Sequence, residues 1–121
     1  MRFSILVCDD STVARKQVIR RSNECIDADI QQATNGKKAL ALLHHKHFDL
    51  LCLDLTMPEV DGIAVLEQVK ANKIETYVLV ISADIQQKMR DRVAQLGAID
   101  FIHKPINKAQ LNDVLHKFGI Y

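Results

Sequence analysis

The sequence predicts a doubly wound α/β protein, and three observations carry that prediction. Four apolar runs, 3–8 (FSILVC), 48–55 (FDLLCLDL), 77–82 (YVLVIS) and 98–103 (AIDFIH), lack the polar alternation of a strand with one wet face. Each therefore reads as buried on both sides, as in a parallel sheet. Stretches of helical spacing lie between them. Finally, strands and helices alternate five times, with no linker, repeat or low-complexity tract, which argues for helices on both faces of one sheet.

The elements follow in chain order. The first run is a strand, and Ser11 or Thr12 can cap a helix carrying Val13, Ala14, Val18 and Ile26. A weaker run, DADIQQA, supplies a second strand near Ile30, and Gly36 opens a helix with Ala39, Leu40 and Leu43. The run at 48–55 is the third strand, followed by a helix marked by Ile63, Leu66 and Val69. After the fourth strand, Ile85, Met89, Val93 and Leu96 form a narrow stripe that Gly97 ends. The fifth strand leads to Leu111, Val114, Leu115 and Phe118, spaced i, i+3, i+4, i+7 along the last helix.

Composition narrows the function classes. The 121 residues fit one domain, 1–121, and 48% hydrophobic with 26% charged residues supports a packed core rather than disorder. A formal net charge of +1 gives no general pull toward nucleic acid or membranes. No segment has the apolar length of a membrane span, and the start MRFSILVCDD lacks signal-peptide organisation. Three cysteines (Cys8, Cys25 and Cys52) without CxxC spacing read as reduced core thiols, so the cytoplasm is the expected compartment.

In a doubly wound sheet, ligands sit beyond the carboxyl ends of the strands. The residues there are Asp9 and Asp10 after the first run, Asp54 after the third, Ser82 after the fourth, and His103, Lys104 and Pro105 after the fifth. Clustered carboxylates repel unless a cation intervenes, and an oxygen-only, hydrated ligand set suits Mg2+. A carboxylate can also act as a nucleophile and form an aspartyl phosphate, with a lysine and a hydroxyl helping to hold the phosphoryl oxygens. Each residue alone has a plainer explanation: Asp10 or Ser82 as a cap, Lys104 as a solvated charge. Their occurrence together at one end of different strands favours a site.

At these positions the chain resembles a known family. VCDDS, LDLTMPEVDG, VISAD and GAIDFIHKPI are similar, in order and spacing, to the four signatures of the receiver domain of two-component response regulators. The likeness covers essentially the whole chain. It implies a flavodoxin-like (βα)5 fold with a five-stranded parallel sheet in the order 2-1-3-4-5. It further implies that Asp54 is the phosphoacceptor, that Asp10 ligates Mg2+ directly, that Asp9 helps through water, and that the Thr56 carbonyl completes the protein ligands. Lys104 would pair with the phosphoryl group, Ser82 would hydrogen-bond it, and Phe101 would be the aromatic switch. The Lys104–Pro105 bond resembles the family's cis peptide. Thr56 and Asp84 stand where the family tunes access of the hydrolytic water.

The partners implied are a histidine kinase or phosphotransfer protein and a downstream effector. The effector would bind the face made by the fourth helix, fifth strand and fifth helix. The resemblance implies a signalling switch that catalyses only its own phosphorylation and dephosphorylation, as a monomer or a phosphorylation-dependent dimer. Because the chain stops at Tyr121, after the last helix, output is expected through a partner, as a chemotaxis-type messenger or as a relay or phosphate sink.

Other readings fare worse. A dinucleotide-binding domain would carry GxGxxG where this chain has CDDST. An aspartyl-nucleophile phosphatase would carry a second aspartate where Thr56 stands, and a degenerate receiver would have lost Asp54 or Lys104. His44, His45 and His47 invite a metal reading, with His44 and His47 sharing a helical face. Without an acidic or thiol ligand nearby in sequence they read as a solvated helix end. His103 reads as a rim residue. Cys8 reads as core, though beside the acid pair, and Cys52 alternates with Asp54 along its strand near the site.

Overall fold

The computed structural model describes residues 3–57, 60–83 and 86–119. Its strands are β1 (Phe3–Cys8), β2 (Ala28–Ala33), β3 (Leu50–Leu53), β4 (Tyr77–Ser82) and β5 (Asp100–His103). The helices are α1 (Thr12–Cys25), α2 (Gly36–His45), α3 (Gly62–Ala71), α4 (Gln87–Gln95) and α5 (Lys108–Lys117). All strand pairings are parallel, in the order β2-β1-β3-β4-β5, as the resemblance implies.

The continuous apolar runs are explained by two cores, one on each face of the sheet. Leu6, Cys8, Leu51, Leu53, Val78 and Val80 face α2, α3 and α4, meeting Ala39, Val65, Leu66 and Val93. Their neighbours Ile5, Val7, Leu50, Cys52, Leu79 and Ile81 face α1 and α5, meeting Val18, Leu111, Val114 and Leu115. Successive side chains of a strand point to opposite faces, so only an uninterrupted apolar run can fill both layers.

Caps set the helix starts. Ser11, rather than Thr12, caps α1 by accepting the Ala14 N–H at 3.2 Å; Asn35, Asp61 and Asn107 cap α2, α3 and α5 in the same way. Gly97 follows α4 at φ 96°, a left-handed conformation that glycine adopts without steric cost.

Three expectations need correction. Val13 is 67% exposed rather than packed, because the sheet-facing stripe of α1 runs through Arg15, Val18 and Ser22. Ile26 lies just past the end of α1, as its C-cap. The β5 strand is not buried on both sides: as an edge strand it leaves Asp100 and Phe101 half-buried and His103 exposed. The β2 edge is likewise partly exposed. Pro58, Asp84, Ile85 and Tyr121 lie outside the described residues.

Candidate functional site

The topology places the acids. From β1 the chain crosses to β2 on one side, then returns to β3 on the other, so the carboxyl ends of β1 and β3 are neighbours at the point where strand order reverses. Their register pairs Cys8 with Leu53, which leaves Asp9 and Asp54 each one residue beyond its strand. The Asp54 N–H donates to the Cys8 carbonyl at 3.0 Å, extending the ladder to the site itself. Asp10 joins them, and the three carboxylates each bring an oxygen within 4.8 Å of the others.

The backbone behind Asp54 is closely packed. The Gly62 N–H donates to the Leu55 carbonyl at 3.1 Å, and a Cβ on Gly62 would stand 2.3 Å from the Asp54 carbonyl oxygen. Only glycine fits this contact, which ties the start of α3 to the turn after β3.

Lys104 reaches the cluster from the end of β5, through a cis Lys104–Pro105 peptide, with its own N–H on the Ser82 carbonyl at 2.9 Å. Its ammonium lies 2.7 Å from Asp9 Oδ2 and 3.4 Å from Asp54 Oδ1. Burial alone would lower the lysine pKa. The hydrogen bond to Asp9 and the charges of Asp54 and Asp9 outweigh burial and raise it. The Asp54 pKa is also raised, by burial first and then by Asp9, against the opposing effects of Lys104 and a hydrogen bond from the Thr56 backbone. Both shifts are consistent with one geometry: Lys104 sits closer to Asp9, and Asp54 is left undercompensated.

Ser82, the last residue of β4, is fully buried. Phe101 is half-buried against the α2–α3–α4 core, and the Arg90 guanidinium carbon lies 4.9 Å from its ring centroid. Thr56 is exposed and His103 is an exposed rim residue. Asp84 lies outside the described residues.

Two thiols near the acids are buried and hard to ionise. Cys8 is buried with its pKa pushed up to about 12, by burial first and then by Asp9 and Asp54; its Sγ contacts the Asn35 carbonyl and Met57 Sδ. Cys52 is likewise raised to about 12 by burial, and it faces the α1–α5 core. At the other end of the molecule the histidine reading changes in detail. The α2 helix stops at His45, so His44 and His47 do not share a helical face, and Asp49 is an acidic neighbour, 3.2 Å from His47. Among the described residues, the acidic trio is the one group of three or more metal-ligating side chains held this close.

Sequence reasoning passed over Arg15. It is buried, with its guanidinium on the Asp9 carbonyl oxygen at 2.8 Å, Gln32 Oε1 at 2.9 Å and Thr12 Oγ1 at 3.2 Å. A signal was available: Arg15 stands three residues before Val18 and seven before Ser22, on the stripe that faces the sheet.

Three clustered oxygen donors with excess negative charge are a set that could hold a hard divalent cation. The fold and this acidic rim are those of a receiver domain of two-component signalling. Residues 5–116 match the response regulator receiver domain, and the chain belongs to that family.

The chemotaxis protein CheY of Bacillus subtilis is 31% identical over 121 residues, covering 97% of this chain and 98% of its own. The probable C4-dicarboxylate response regulator DctR of the same species is 34% identical over 89 residues, or 74% of this chain. That match spans only 39% of DctR, so the chain covers less than half of some of the longer relatives it resembles. Among solved structures, the CheX–CheY–BeF3–Mg2+ complex from Borrelia burgdorferi contains a chain 27% identical, with a TM-score of 0.86 over 98% of this chain and 90% of that one. The chain is thus a receiver of two-component signalling similar to CheY, and receivers work with kinases or phosphotransfer proteins and effectors. Among the described residues, no helix is long and apolar enough to cross a membrane.

Proposed function

We propose that this chain, 1–121, is a phosphorylation-gated switch that accepts a phosphoryl group on Asp54 from a histidine kinase or phosphotransfer protein. The observation that carries the reading is the state of Asp54: buried, raised in pKa by burial and by Asp9, and contacted by Lys104 at 3.4 Å. Excess negative charge at one carboxylate is what a divalent cation and an incoming electrophile both answer.

Asp9, Asp10, Asp54 and the Thr56 carbonyl would hold Mg2+, which would supply positive charge to offset the clustered acids and the incoming phosphoryl group. An Asp54 carboxylate oxygen attacks phosphorus; the P–O bond forms as the P–N bond to the donor imidazole breaks, and the imidazole leaves with that electron pair. With acetyl phosphate the bond broken is P–O, and acetate leaves. The Lys104 ammonium exchanges part of its pairing with Asp9 for the phosphoryl oxygens. The Ser82 hydroxyl donates to a phosphoryl oxygen, and Phe101 follows it inward from its half-buried position. That movement alters the face of α4, β5 and α5, where an effector reads the state. Thr56 and Asp84 tune the attack of water that ends the signal. The crystal structure of a related CheY in complex with CheX supports binding of this chain to a protein partner.

The test is incubation with Mg2+ and acetyl phosphate or phosphoramidate, followed by intact mass measurement. A single phosphoryl adduct is expected in the wild type and none in Asp54→Asn. A wild type that binds Mg2+ yet takes no phosphoryl group from any donor would sink the switch reading in favour of a receiver used only as a binding module.

A further inference from the structure

We propose that Arg15 is a positioning residue of the site, anchoring the β1–α1 turn so that Asp9 and Asp10 are presented to the divalent cation. The inference rests on the metal-binding role proposed above for these acids. It starts from how completely Asp9 is held. Its N–H donates to the Ala33 carbonyl at 3.2 Å, its Oδ1 accepts the Ser11 N–H at 2.9 Å, and its Oδ2 accepts Lys104 at 2.7 Å. The remaining polar atom, the backbone carbonyl, accepts from Arg15 Nη1 at 2.8 Å in a buried contact.

Arg15 is itself fixed by two further partners on different elements. Nε donates to Gln32 on β2 at 2.9 Å, and Nη2 donates to Thr12 in the first turn of α1 at 3.2 Å. A guanidinium presents its donors in a rigid planar fork, so these contacts lock the turn against the end of β2 and the start of α1 in one orientation. Lysine offers a single charged head on a flexible stem and cannot reproduce all three. The side chains that Arg15 steadies belong to a loop that must keep its shape while Lys104 trades Asp9 for a new partner.

Two effects of Arg15 on a bound cation oppose each other, and this makes the role measurable. As a permanent positive charge beside the acids it weakens cation binding. As an anchor of the turn it strengthens binding by preorganising the ligands. We assign the larger effect to anchoring, which predicts that removing Arg15 weakens Mg2+ binding although a repelling charge has been deleted.

The experiment is Mg2+ titration by isothermal titration calorimetry on the whole chain, with phosphorylation from acetyl phosphate measured in parallel at saturating Mg2+. Arg15→Met is expected to raise the Mg2+ Kd at least fivefold, Arg15→Lys to fall between it and the wild type, and Gln32→Ala to raise it about twofold. Phosphorylation at saturating Mg2+ should return to within twofold of the wild type. Val114→Ala, a buried change on α5 away from the site, should lower Tm and leave the Mg2+ Kd unchanged. An unchanged or lower Kd in Arg15→Met overturns the inference, as does an equal loss of affinity in Val114→Ala. If Arg15→Met does not fold, wild-type affinity in both Arg15→Lys and Gln32→Ala overturns it. A wild type that binds no Mg2+ removes the metal role of the acids and the inference with it, a result separate from any failure at Arg15 alone.

Discussion

Strand β3 carries an aspartate at each end, and the two have opposite circumstances. Asp49 precedes the strand with a side chain 34% exposed; Asp54 follows it with one 5% exposed. Asp49 is satisfied by local partners: Oδ2 accepts the Ser4 N–H at 2.8 Å, and Oδ1 meets His47 at 3.2 Å. Its backbone extends the sheet on both sides, its N–H on the Ser4 carbonyl and its carbonyl accepting the Tyr77 N–H. Asp54 faces a second buried acid and shares a lysine that lies nearer its rival. Placed at the amino rim, a strand-end carboxylate ties β3 to β1, while the backbone of the same residue carries the ladder on to β4. At the carboxyl rim, beside the reversal of strand order, it is held in a charge imbalance that the proposed phosphorylation would use.

The comparison can be broken most severely at Gly62. A methyl group there would drive into the backbone behind Asp54, with Leu55 Cα at 2.7 Å as well as the Asp54 carbonyl oxygen. Gly62→Ala is expected to cost about 3 kcal/mol, at the upper end of overpacking penalties because backbone cannot swing aside. Denaturant unfolding checks this, and a loss below about 1 kcal/mol would mean that the turn after β3 gives way easily.

A smaller effect is expected at the other end of the strand. Asp49→Ala removes a charge-assisted hydrogen bond to the Ser4 N–H and should cost about 1.5 kcal/mol. The exposed contact with His47 adds little to that figure. Labelling of Asp54 by acetyl phosphate should be unchanged in this variant. A stability loss combined with lost labelling would show that the two rims are not separable.

The smallest effect has the opposite sign. Because the Asp54 pKa is raised in the folded state, the fold holds this proton more tightly than the unfolded chain does, and stability declines as pH rises from the unfolded value toward the folded one. Asp54→Asn in EDTA should therefore raise Tm at pH 7 by a few degrees. The advantage should vanish once pH falls below the ordinary aspartate value of 3.8. A variant that is less stable at pH 7 would show that the contact with Lys104 outweighs burial and the repulsion from Asp9.

The sequence determined a good deal of this protein by itself. Uninterrupted apolar runs required a sheet covered on both faces, and Ser11, one of two candidate caps, marked the start of α1. The position of Asp9, Asp10, Asp54 and Lys104 just after apolar runs brought them to one rim, because parallel strands all end on the same side. Local spacing could not see contacts between elements. It put Val13 in the core and passed over Arg15, because which stripe of α1 meets the sheet is decided by the docking of the helix. It could not rank Asp49 against Asp54 by charge, because burial, the nearness of Asp9 and the reach of Lys104 across 50 residues exist only in the folded chain. Sequence supplies the groups and the end of the sheet they occupy; tertiary structure decides their solvation and partners, and therefore their charge.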